Sequence, residues 1–187
     1  MFHVTSEKAI IESRRGVLRA IAGSFVVGFG RTPAACEATD APRVPVMKRY
    51  RHVQSGIALE VEVPDATVDK GRVPMRMTVV NTRGEPIRFL ALSNGPTTYA
   101  HVKVRTTGDV PLMTPLGANL LGPTGLRMGS GEIVTLATGE RQSWDIWLGK
   151  CYEFSTATYV MRLTTQINDW KSGTTEITVD GILFKTK

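Results

Sequence analysis

The chain has 187 residues, 42% of them hydrophobic and 21% charged, with 23 Lys and Arg against 17 Asp and Glu for a formal net charge of +6. Its two cysteines, Cys36 and Cys151, lie far apart in sequence and offer neither zinc-site nor paired-cysteine redox spacing. The basic excess is concentrated near the N-terminus, which weakens any argument for nucleic acid.

Residues 20–30 are an uncharged, mildly hydrophobic run of 11 that includes Gly23, Gly28 and Gly30. The run is about half the ~20 residues a membrane-spanning helix needs. Each glycine weakens a helix by roughly 1 kcal/mol relative to alanine, so an amphipathic helix packed on the domain is the poorer reading. Arg14, Arg15 and Arg19 precede the run, and the small residues Thr32, Pro33, Ala34 and Ala35 follow it, in the order of a signal peptide.

Ser13-Arg14-Arg15-Gly16-Val17-Leu18-Arg19 resembles the twin-arginine export motif, with Arg14, Arg15 and Leu18 in motif positions and Val17 and Arg19 as departures. The resemblance implies a leader of residues 1–35 and export of an already folded protein to the periplasm or beyond, often with a cofactor in place. Cleavage fits after Ala34, Ala35 or Ala38. The last three residues of Pro33-Ala34-Ala35-Cys36 also resemble a lipoprotein box, so a lipid anchor at Cys36 stands as the alternative to soluble export. If Cys36 is retained without lipid, it is free to pair with Cys151 in an oxidising compartment. Removing the leader leaves 152 residues with 18 basic and 15 acidic side chains, a net +3.

Residues 36–56 are expected to form an extended tether, because Pro42 and Pro45 favour an open chain. The basic residues Arg43, Lys48, Arg49 and Arg51, beside Tyr50 and His52, read there as a solvated linker. The competing reading is a contact arm for an acidic surface or lipid headgroups.

From residue 57 the apolar pattern has period two, the mark of β-strands. Ile57, Leu59, Val61 and Val63 alternate with Ala58, Glu60 and Glu62 in a half-buried strand whose two glutamates are expected on a solvated face. Val73, Met75, Met77 and Val79 form a second strand, closed by a turn at residues 81–84. Residues 87–92 are more apolar and are expected to be central. Val102 and Val104 mark a fourth strand.

Residues 108–131 carry three prolines and six glycines and are expected to be one long loop. Its apolar residues, Met113 and Leu120 among them, either cap the core or form a binding surface. Strands resume at residues 133–136 and 141–148, where Trp144, Ile146 and Leu148 point one way and Ser143, Asp145 and Trp147 the other. Tyr159, Met161, Leu163 and Thr165 alternate in a further strand, residues 168–173 make a hairpin loop, and residues 176–185 form the last strand.

Short strands separated by turn signals describe an all-β sandwich of about 7–9 strands, occupying residues 57–187. Ala157-Thr158-Tyr159-Val160-Met161 resembles the turn into strand F of immunoglobulin-like domains, with Tyr159 as the corner tyrosine and Met161 where the usual cysteine stands. With Leu136-Ala137-Thr138-Gly139-Glu140 and Asn81, the order is similar to exported bacterial immunoglobulin-like modules and, more loosely, to the bacterial intracellular proteinase inhibitor domain. That resemblance implies an antiparallel immunoglobulin-like sandwich that acts by binding.

Catalytic groupings are missing from the sequence. His52 and His101 lie on segments with no evident reason to meet, no Gly-x-Ser-x-Gly elbow occurs, and no glycine loop precedes a helix. The sequence therefore points to an exported, non-enzymatic binding module without a cofactor, whose partner is an unidentified protein. Protease inhibition or an accessory role is a specific form of this reading. Its contact surface is expected on residues 108–131, with Trp147, Tyr152 and Trp170 as anchors. The alternative is a small periplasmic carrier of a metal or small molecule, resembling copper chaperones through His101, Met113 and Met128.

Overall fold

The computed structural model describes residues 45–92, 95–122 and 131–187. The expected leader with Arg14, Arg15 and Leu18, its cleavage points, Cys36 and Met128 lie outside the described residues. Within them the protein is all-β, and every pairing between strands is antiparallel.

The first sheet orders β1 (Met47–Gln54), β2 (Ile57–Pro64), β3 (Pro74–Asn81) and β8 (Arg141–Trp147). The second is built on a long hairpin of β10 (Thr158–Asp169) and β11 (Gly173–Lys185). The free side of β10 pairs with β5 (Thr97–Val104) along most of its length. At the Asp169 end it meets β4 (Ile87–Ala91), to which β7 (Glu132–Leu136) is added. β6 (Leu112–Met113) and β9 (Tyr152–Glu153) form a short separate ladder, and two short helices occur among the described residues, α1 (Pro115–Leu121) and α2 (Leu148–Cys151).

Period-two alternation builds the core in the manner of a β-sandwich. Leu59, Val61, Met75, Met77 and Trp144 of the first sheet join Tyr159, Met161, Leu163, Ile177 and Phe184 of the second in one buried cluster. Each such side chain contributes roughly 1.5–3 kcal/mol on leaving water. Met75 and Met77 belong to this core, and the Met77 sulfur accepts from the Thr98 and Thr165 hydroxyls at 3.5 Å. The Tyr50 hydroxyl accepts from Leu183 N at 3.0 Å, so β1 covers part of the open edge of β11.

Several expectations are corrected. Residues 47–54, expected within an extended tether, are strand β1 in full register with β2. The strand hides in the sequence because its partners are charged: Arg49 donates to Glu62 and Arg51 lies 3.3 Å from Glu60. Glu60 is not solvated either, being 7% exposed, with Arg49, Arg51 and Arg141 gathered over it. β2 is therefore covered on both faces. β4 lies between β10 and β7, as expected of a central strand, but it is not apolar on both faces, since Arg88 and Leu90 are exposed. Residues 108–131 are not one loop, since β6 and α1 form within them. Thr114 caps α1 by accepting from Gly117 N at 3.0 Å, and Pro115 opens its first turn.

The turns at one end of the sandwich are locked by polar groups. Buried Asn81 donates to the carbonyls of Glu85 and Leu136 at 2.8 and 2.9 Å and accepts from Arg83 N at 2.9 Å. Arg83 reaches Ser55 O, Asp169, Ser172 and Thr175, joining the β1–β2 turn to the β10–β11 hairpin. Burial raises the Asp169 carboxyl, but donors from Arg88, Ser172 and Lys171 outweigh it and hold the group below the ordinary carboxylate value.

Candidate functional site

The opposite end is built differently. Antiparallel register places Met47 opposite Pro64 and Pro74 opposite Trp147 at the margin of the first sheet. Proline offers no N–H to a ladder, so the sheet stops here and its last side chains face outward. The alternation along β8 buries Trp144 and Ile146 and turns Ser143, Asp145 and Trp147 outward, as the sequence predicts. Trp147 is 48% exposed, an unusual position for the largest apolar side chain.

Trp147 stands between two clefts. One, of about 630 Å³, is lined by Pro45, Val46, Val68 and Pro74, with Asp69, Arg72 and Lys187 at its polar margin. The other, of about 320 Å³, runs over Met47 and Pro74 to Glu62, Arg76 and Asp145. In that second cleft Arg76 grips Asp145 with two donors, at 2.8 and 3.2 Å. The pair holds the Asp145 carboxyl below its usual value. Leu116, Leu120 and Lys150 border the tryptophan on its third side, where α1 approaches α2.

Backbone contacts fix the cations around this end. Lys70 N donates to Lys187 O at 3.3 Å and Lys187 N to Val68 O at 3.0 Å, which sets the two lysines side by side. Gly149 packs so close to residues 70–71 that an added Cβ would lie 2.6 Å from Gly71 C, which brings Lys150 to the same place. Lys70, Arg72, Lys150 and Lys187 are all exposed, and none forms an ion pair among the described residues.

The other residues singled out from sequence divide sharply. Tyr152 is not an exposed anchor: it is 2% exposed, its hydroxyl donates to Ala100 O at 2.9 Å, and burial raises its pKa. It lies in an aromatic cluster with Phe154, Tyr159 and Phe184 that forms the floor beneath this end. Leu120 and Met113 pack against the core. Trp170 is exposed, but at the far hairpin, stacked by the Arg88 guanidinium at 4.4 Å. The Tyr159 hydroxyl accepts from Ser155 N at 2.9 Å, four residues upstream.

Among the described residues, no group of three or more His, Cys, Asp and Glu side chains is placed to hold a metal ion. His52 and His101 are exposed on β1 and β5. Cys151 is fully buried, and desolvation pushes its thiol up to about 11. No helix among the described residues is long and apolar enough to cross a membrane. In comparison with known proteins, no family model matches the sequence and no curated protein is similar to it.

Sequence reasoning singles out Trp147 and Leu120 but not the rest of their surroundings. Val46 and Pro74 fall at strand ends, where periodicity carries no signal. The four cations are scattered through the chain and meet only through the fold.

Proposed function

We propose that this chain is an exported, immunoglobulin-like binding module without catalytic activity, and that it binds through the end of the sandwich centred on Trp147. The observation that carries the reading is the half-exposed Trp147 between two apolar clefts, on a domain where Phe89, Trp144, Tyr152, Phe154, Tyr159 and Phe184 are buried and the other exposed tryptophan, Trp170, is stacked by Arg88. A tryptophan presented on a rigid strand loses little entropy on contact and anchors an interface well. The Tyr159 bond to Ser155 supports the immunoglobulin-like assignment, because a corner tyrosine binds backbone a few residues upstream. The twin-arginine resemblance at Arg14 and Arg15 supports export.

A photo-crosslinking amino acid at position 147, with His101 as the control position, tests the reading in cells. A discrete adduct from 147, to protein or to lipid, and none from 101, is expected in the exported fraction. Absence of any adduct from 147 contradicts it. Arg14→Lys with Arg15→Lys is expected to retain the protein in the cytosol, and normal export of that variant removes the assignment of compartment.

A further inference from the structure

We propose that the Trp147 end of the domain docks on a bilayer surface bearing anionic headgroups. The inference rests on the binding-module reading above and names the partner of that same surface.

Shape is the first support. The apolar groups here protrude instead of lining a closed cavity: Val46 is 74% exposed, and Trp147 and Leu116 are each about half exposed. A tryptophan beside aliphatic side chains, on a surface rimmed by Lys and Arg, is the composition that settles at a headgroup boundary.

Charge is the second. Arg72, Lys150 and Lys187 line the clefts beside the tryptophan and Lys70 is bonded through its backbone to Lys187; none of the four has an ion pair among the described residues, and Asp69 offsets one of them. The belt continues at Lys48, Arg105 and Lys185, which share a neighbouring cleft with Asp65. These cations spread around the end of the sandwich and do not converge on one point, so they match a plane of anions better than a single bound phosphate. Elsewhere the pattern reverses. Arg49, Glu62, Arg76 and Asp145 cross the outer face of the first sheet in register as alternating charges, and that face is close to neutral.

Connectivity is the third. The described chain begins at Pro45, which lines both clefts beside Trp147. The described backbone thus enters the domain at this end, beside the surface proposed to meet the headgroups.

The test uses the full chain with vesicles of neutral phosphatidylcholine and with vesicles containing about one-third phosphatidylglycerol. Each basic group near an anionic surface strengthens binding about fivefold, so partitioning onto the anionic vesicles should be on the order of a hundredfold stronger at low salt. The combined variant Lys70→Gln, Arg72→Gln, Lys150→Gln, Lys187→Gln should lose that preference while keeping its β-sheet circular dichroism. Brominated lipid tails should quench Trp147, read as the difference from Trp147→Phe, and leave Trp170 unquenched. Equal binding to both vesicle types, a preference unchanged in the glutamine variant, or quenching at Trp170 in place of Trp147 overturns the proposal. A protein adduct from position 147 combined with no anionic preference keeps the binding module and removes the membrane as its partner.

Discussion

The two ends of the sandwich solve opposite problems with the same residue types. At the hairpin end, Arg83 is committed to Asp169, Ser55, Ser172 and Thr175, and Lys171 to Glu85. At the Trp147 end, four cations and an exposed tryptophan have no such commitments among the described residues. Satisfied polar networks rigidify a fold, whereas unsatisfied exposed charge is available for something outside it. The comparison therefore assigns stability mainly to the closed end and leaves the Trp147 end as the surface proposed for recognition.

The largest effect should come from breaking the closed end. Asp169→Ala leaves Arg83, whose side chain is only 14% exposed, without its counter-charge and strips the Arg88 and Ser172 donors of their acceptor. A loss of about 3 kcal/mol is expected in urea unfolding, as for other buried pairs broken on one side. The same carboxyl sets an acid limit. Its folded pKa is depressed, so its contribution is complete above the unfolded carboxylate value and is lost as pH falls through the folded one. Wild-type stability should decline below about pH 4 more steeply than that of Asp169→Ala; parallel decline of the two contradicts the role given to Asp169.

An intermediate effect should follow from loosening the helix beside Trp147. A Cβ on Gly117 would lie 2.0 Å from Cys151 O, so Gly117→Ala forces α1 away from α2. Overpacking of this kind costs about 1–3 kcal/mol. It should also expose the Cys151 thiol, which in the wild type is buried and raised to about 11 and should resist thiol reagents near pH 8 until the protein unfolds. Rapid labelling of the native wild type contradicts the packing described. The burial of Cys151 also bears on the disulfide weighed from sequence: a bridge to Cys36 requires α2 to open.

The smallest stability effects belong to the exposed tryptophans. Trp170→Ala forfeits the contact with Arg88, worth about 0.5–1 kcal/mol at a surface site. Trp147→Ala should cost no more than that, since surface changes away from special features stay within about 0.5 kcal/mol. A loss of several kcal/mol at Trp147 would make it a structural residue and blur the contrast between the ends.

How far the sequence anticipates this arrangement depends on whether an interaction is local. The alternation along β8 and β10 is written in consecutive residues, so Trp144, Trp147, Tyr159 and Met161 are assigned to their faces correctly. β1 was hidden because Arg49 and Arg51 find their carboxylates on the next strand, and a charged run reads as linker until that pairing is known. Tyr152 reads as an exposed anchor for a related reason, as its partner Ala100 O is 52 residues away. The start of α1 was legible in Thr114 and Pro115, a capping residue followed by proline, but the glycines and prolines around it masked the signal. Nothing in the sequence brings Lys70 beside Lys187. That pairing comes from the bridge between Val68 and Thr186.

Oxidative footprinting of Trp147 and Trp170, compared between isolated protein and intact cells, tests the division of labour most directly. Both side chains should react in the isolated chain, and only Trp147 should become protected in cells. Protection of Trp170 with Trp147 still reactive, or no protection at either end, would contradict the assignment of recognition to the Trp147 surface.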